Sequence, residues 1–126
     1  MVEAKGLLPA SMMLFAPHSD NPDVWTDIQR IDTLNTELKR KNLENHVCPL
    51  QKDVVLRLLE RYSNKGDVIL DPFGGVMTVP YVSVKSGRRA VGIELNPQYW
   101  KYGTMFLERL DRDLAAPTLF DLLETN

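Results

Sequence analysis

The sequence predicts an α/β chain with a small parallel sheet of two or three strands flanked by helices. Three observations carry that expectation. Two short apolar runs of buried-strand type, Asp67–Asp71 and Arg89–Leu95, are bounded by turn residues. Amphipathic helical patterns lie before, between and after them. The segment joining the runs is long enough for a helical crossover, which makes the strands parallel and the connection right-handed.

Each element has its own signals. Residues 1–23 hold Gly6, Pro9, Pro17 and Pro22 together with the polar stretch from His18 to Asn21, and read as an irregular leader. Residues 24–45 space Trp25, Ile28, Ile31, Leu34 and Leu38 in a loosely helical way, closed by Lys39, Arg40 and Lys41. Pro49 suits the first position of a helix, where its missing N–H costs nothing. Leu50, Val54, Val55, Leu58, Leu59 and Tyr62 then form one apolar stripe. Gly66 suits a left-handed cap at the end of that helix. After the first strand, Pro72 and Phe73-Gly74-Gly75 turn the chain into a helix from about Thr78 or Val79 to Ser86, closed by Gly87. After the second strand, Asn96 followed by Pro97 is a strong helix start. Tyr99, Tyr102, Phe106, Leu110 and Leu114 share one face of the last helix.

Composition fits one globular domain. The chain has 126 residues, a net charge of −2, 44% hydrophobic and 25% charged residues. That excludes collagen-like and disordered chains. The charge is uneven: −3 over residues 1–29, +4 over 30–89 and −3 over 90–126. The single cysteine, Cys48, excludes an internal disulfide, and His18 and His46 do not stand at metal-ligand spacing. The longest apolar stretch, Leu7 to Pro17, is too short to span a membrane and lacks the features of a secretory signal. A cytoplasmic setting is the expectation.

In an open α/β unit, ligands bind beyond the carboxyl ends of the strands. Two features fall there: the turn Asp71-Pro72-Phe73-Gly74-Gly75, and Glu94 at the end of the second strand. An acidic residue about 20 positions past a glycine turn is the usual partner of ribose hydroxyls. The turn lacks the Gly-Lys-Ser/Thr of a phosphate-binding loop and the full three-glycine dinucleotide fingerprint. Asp71 would repel a pyrophosphate but suit a cationic ligand. An adenosyl compound with a positive methionine moiety fits these facts. The same residues also suit a purely structural turn, with Asp71 as a cap and Glu94 as an exposed strand end.

An ordered set of motifs then narrows the reading. HVCPLQ stands at 46–51, RYSNKGD at 61–67, DPFGG at 71–75 with Thr78, GRR at 87–89, and GIEL at 92–95 with Tyr99. WTDIQRIDTLN at 25–35 adds to it. Over about residues 24–114 the chain resembles the C-terminal half of the circularly permuted DNA amino-methyltransferases, most of all phage and prophage modification methylases. These enzymes methylate adenine N6 or cytosine N4 with S-adenosylmethionine. The resemblance implies a partial Rossmann-like methyltransferase fold, with residues 24–126 as the cofactor-binding half. It implies that His46, Cys48, Pro49 and Leu50 line the methionine end of the cofactor site. Asp71, Phe73, Gly74 and Gly75 would form the cofactor loop, and Glu94 would hold the ribose.

Two departures from the family pattern matter. The second spaced glycine of Asp-Pro-Phe-x-Gly-x-Gly-Thr is Met77, expected to fill part of the pocket. The tetrapeptide that grips the flipped base contains a Pro-Pro pair, and none of the eight prolines here is followed by another. The resemblance implies that the target-reading region, which in this permutation precedes residue 46, is missing as well. No catalytic residue and no metal ligand is therefore assigned. The expectation is a truncated or split enzyme, inactive alone, that reaches DNA only within a complete enzyme. Its partner would be a second chain supplying the catalytic half, or another copy of itself. A non-enzymatic interaction module, or prophage remnant, that associates through an exposed sheet edge is the second reading. Cys48 reads as a small buried or pocket-lining residue rather than a nucleophile, because direct amino-methylation needs no thiol.

Overall fold

The computed structural model describes residues 24–43 and 48–117. The leader 1–23, His46 and the tail from residue 118 lie outside the described residues. The elements are α1 (Asn35–Arg40), α2 (Lys52–Tyr62), β1 (Val68–Asp71), α3 (Thr78–Lys85), β2 (Arg89–Gly92) and α4 (Pro97–Ala115). β1 and β2 pair in parallel, with Val68 opposite Arg89 and Asp71 opposite Gly92. The expected α/β architecture is present, as a two-stranded sheet joined through α3.

Strand alternation decides where the core sits. Ile69, Asp71, Ala90 and Gly92 turn to the half-buried inner side, while Val68, Leu70 and Val91 point outward. α3 packs on the inner side of both strands. Val55 and Leu59 of α2 meet Val82 of α3, with Ile69 and Val79 at the margin. A second cluster joins Leu34 and Leu38 to Val76, Tyr102 and Phe106. The outer side of the sheet is uncovered among the described residues, and Leu70 is 63% exposed there. No helix among these residues is long and apolar enough to cross a membrane.

The 24–45 segment departs from its helical pattern. Among its described residues only Asn35–Arg40 is α-helical, and Ile31 is 79% exposed. Tertiary contacts hold the preceding stretch out of a helix. Arg57 on α2 donates two parallel hydrogen bonds to Asp27, of 2.8 and 2.6 Å. The Trp25 ring lies under the guanidinium groups of Arg57 and Arg61, 4.9 and 5.3 Å from its centroid. The hydrogen bond that Arg57 donates to Asp27 raises the Arg57 pKa above its ordinary value, against the opposing effect of burial.

The ends of α2 also differ from expectation. Pro49 lies ahead of the helix, and the cap residue Gln51 makes no side-chain capping bond. Asp32 serves instead: its carbonyl accepts from the Lys52 N–H at 3.0 Å, and its carboxylate meets Lys52 Nζ at 2.5 Å. At the other end the helix stops at Ser63, which is extended. Gly66, at φ +87°, shapes the following turn rather than the helix cap. Buried Arg88 takes the capping role, donating to the carbonyl of Ser63 at 3.0 Å and of Leu59 at 3.4 Å. α4 begins as predicted: the Asn96 side chain accepts from the N–H groups of Gln98 and Tyr99. Tyr102, Phe106 and Leu110 are buried, whereas Leu114 is exposed.

Candidate functional site

Both strands deliver their carboxyl ends to one place. β1 stops at Asp71, and β2 carries one further ladder bond, from Ile93 N–H to the Asp71 carbonyl at 2.9 Å. The Asp71 side chain accepts from the Phe73 N–H at 3.0 Å, which closes a tight turn around Pro72. The Gly74 N–H then donates to the Ile93 carbonyl at 2.8 Å, docking the loop onto the end of β2.

Glu94 is the centre of the arrangement. Its Oε2 accepts from the Gly75 N–H at 2.7 Å and its Oε1 from the Asn96 N–H at 2.7 Å. Hydrogen bonds to a carboxylate are the strong, charge-assisted kind. The two bonds fix the half-buried carboxylate against both the glycine loop and the start of α4. A carboxylate offers roughly four acceptor positions. Two of those here are taken by backbone, and the others are left to receive donors. Phe73 in the glycine loop is 88% exposed, and Leu95, next to Glu94 in sequence, is 93% exposed.

Gly75 and Met77 adopt left-handed backbone conformations, with φ of +54° and +65°. Glycine does so freely; methionine does not. Met77 is nevertheless 3% exposed. A Cβ built on Gly74 would lie 2.7 Å from its sulfur, and one built on Gly92 or Gly103 would overlap its side chain. The methionine thus lies in a cradle made of the loop, the end of β2 and the inner side of α4. The missing side chain at Gly74 makes room for Met77.

Asp71, Phe73, Gly74, Gly75 and Glu94 are therefore brought together. Cys48 is exposed rather than buried, and Pro49 is half-buried. Leu50, at the start of this segment, also lines an apolar groove of about 350 Å³ with Val54, Leu58, Tyr62, Ile69 and Val79. Gly92 and Gly103 escaped the sequence reading as parts of the site. A glycine inside a helical pattern is a signal of close approach, and Gly103 sits on α4 between buried Tyr102 and Phe106.

A family model described as DNA methylase matches residues 16–105. DNA adenine methyltransferase YhdJ of Escherichia coli (strain K12) is 39% identical over 89 residues, which cover 71% of this chain and 27% of that protein. Type II methyltransferase M.MthZI of Methanothermobacter thermautotrophicus is 34% identical over 61% of this chain and 21% of its own length. Among solved structures, the PvuII DNA methyltransferase (cytosine-N4-specific) superposes with a TM-score of 0.62 at 13% identity, over 83% of this chain and 39% of that one. That likeness concerns the fold. The matched stretches span about a quarter of these two curated relatives.

Proposed function

The chain belongs to the N6/N4 DNA methylase family, and on that premise we propose that residues 24–126 are the C-terminal, cofactor-binding half of a circularly permuted, phage-type DNA amino-methyltransferase that uses S-adenosylmethionine. The observation that carries the reading is the Glu94 carboxylate. It is pinned by two backbone N–H groups at 2.7 Å each and keeps acceptor capacity toward a pair of hydroxyls. The donor set fits an adenosyl ligand. Glu94 would take the ribose hydroxyls, and the loop of Asp71, Phe73, Gly74 and Gly75 would seat the cofactor. His46, Cys48, Pro49 and Leu50 would line its methionine end. Met77 is compatible with this, because its side chain lies among Gly74, Gly92 and Gly103 and is almost fully buried.

S-Adenosylmethionine, when bound, supplies an electrophilic methyl group on a sulfonium for transfer to an exocyclic amine. The residues of this chain bind and orient. Asp71 holds the turn through the Phe73 N–H, and Gly75 holds the ribose acceptor. Gripping a flipped adenine or cytosine needs further groups. The 126 residues contain no Pro-Pro pair, so the gripping tetrapeptide is to be supplied from outside them. A second chain or another copy of this one would meet the uncovered outer side of the sheet and the open edge of β1. Alone, these residues bind cofactor and do not methylate DNA. The complete enzyme would act on DNA in the cytoplasm.

The apolar groove beside β1 favours a second reading, an interaction module or remnant that takes a partner without cofactor. Calorimetric titration with S-adenosylmethionine and S-adenosylhomocysteine separates the two. Saturable binding at micromolar concentration supports the methyltransferase half. No binding up to millimolar refutes it and leaves the interaction module.

A further inference from the structure

Resting on that reading, we propose that Met77 is a positioning residue: its side chain supports the glycine loop from beneath, so that the Gly75 N–H holds Glu94 in the orientation that receives ribose. The sequence suggested an obstruction. The geometry points the other way.

Three observations converge. A methionine at φ +65° is strained, and such strain persists only where surrounding contacts over-determine it. Those contacts are present. One side chain fills the space left by three glycines, Gly74 in the loop, Gly92 at the end of β2 and Gly103 on α4. Each belongs to a different element around the Met77 side chain. The backbone completes the link: the Met77 N–H donates to the Gly74 carbonyl at 2.7 Å, and the Met77 carbonyl accepts from the Tyr81 N–H at 2.9 Å at the start of α3. Between these anchors the loop has little freedom, and Gly75 faces Glu94 at 2.7 Å. Emptying the cradle frees Gly74 and Gly75 to shift. The carboxylate then keeps the Asn96 bond and loses a fixed orientation.

The effect should fall more heavily on recognition of the ribose hydroxyls than on the rest of the ligand. The test compares adenosine with 2′-deoxyadenosine, each competing against S-adenosylhomocysteine, on the full chain and on Met77→Ala and Met77→Leu. Leucine keeps the volume approximately and serves as the rescue. The full chain is expected to prefer adenosine by about tenfold, the scale of one charged hydrogen bond. In Met77→Ala that preference falls to about twofold, and Met77→Leu restores most of it. Equal weakening for both nucleosides, with the preference unchanged, overturns the positioning role.

Amide exchange of Gly75, read by NMR without ligand against that of Phe106, is the second readout. It should quicken about tenfold in Met77→Ala relative to Phe106. An unchanged ratio overturns the inference even if the cofactor reading survives. Released Gly75 exchange in a chain that binds no adenosyl compound refutes the cofactor reading and leaves Met77 as the support of the loop.

Discussion

Exchanging Met77 for glycine and for alanine should reverse the usual order of those two residues. In ordinary backbone, glycine is worse than alanine by about 0.5–1 kcal/mol, because it loses more conformational freedom on folding. At position 77 the left-handed φ of +65° burdens every side chain, at about 1–2 kcal/mol. Met77→Ala keeps that strain and empties a cradle whose occupant is 3% exposed, which costs about 2–5 kcal/mol. Met77→Gly empties the same cradle and releases the strain. After its own entropic cost, glycine should be more stable than alanine by roughly 1 kcal/mol or slightly less. Both should be less stable than the parent chain. Urea unfolding followed by circular dichroism measures this, with m-values checked for constancy. Alanine equal to or better than glycine would refute the strained conformation. A parent chain no more stable than either variant would refute the filled cradle.

Other sites make independent tests. Glu94→Ala should weaken S-adenosylhomocysteine binding about tenfold or more in calorimetry, while the circular dichroism spectrum stays that of the parent. Unchanged affinity removes Glu94 from the site. Arg88→Ala should lower unfolding stability by about 3 kcal/mol, since it leaves the carbonyls of Leu59 and Ser63 without their buried cation. The Arg57–Asp27 pair should show a coupling of about 1 kcal/mol in a double-mutant cycle. Its arginine side should be insensitive to pH between 7 and 10. The raised Arg57 pKa means that this contribution is full below the ordinary arginine value and is lost only above the folded one, beyond the alkaline limit of practical measurement. A coupling that decays by pH 10 would contradict that assignment.

The elements with local physical causes were legible in the residues. The Asn96-Pro97 start of α4 depends on one side chain reaching its own backbone, and it stands where the pattern placed it. The two strands, the parallel pairing and the gathering of Asp71, Gly75 and Glu94 at one end follow from apolar runs, turn residues and crossover length. The loosely helical spacing from Trp25 to Leu34 misled, because the Arg57–Asp27 pair and the cover over Trp25 come from residues about 30 positions away and no local pattern encodes them. Pro49 as the first helical residue and Gly66 as the closing cap give way for the same reason. Asp32 and Arg88 satisfy the ends of α2 from a distance, so local caps were unnecessary.

By itself, then, the sequence determined the α/β class, the order of elements and the carboxylate facing a glycine turn, since each rests on contacts between near neighbours in the chain. Only the tertiary structure decided what Met77 does. Its φ, its burial and the room left by Gly92 and Gly103 depend on a strand end and a helix meeting beneath one loop. Close packing at such a junction is a property of the assembled elements, and a side chain that reads as an obstruction in one dimension fills a cradle in three.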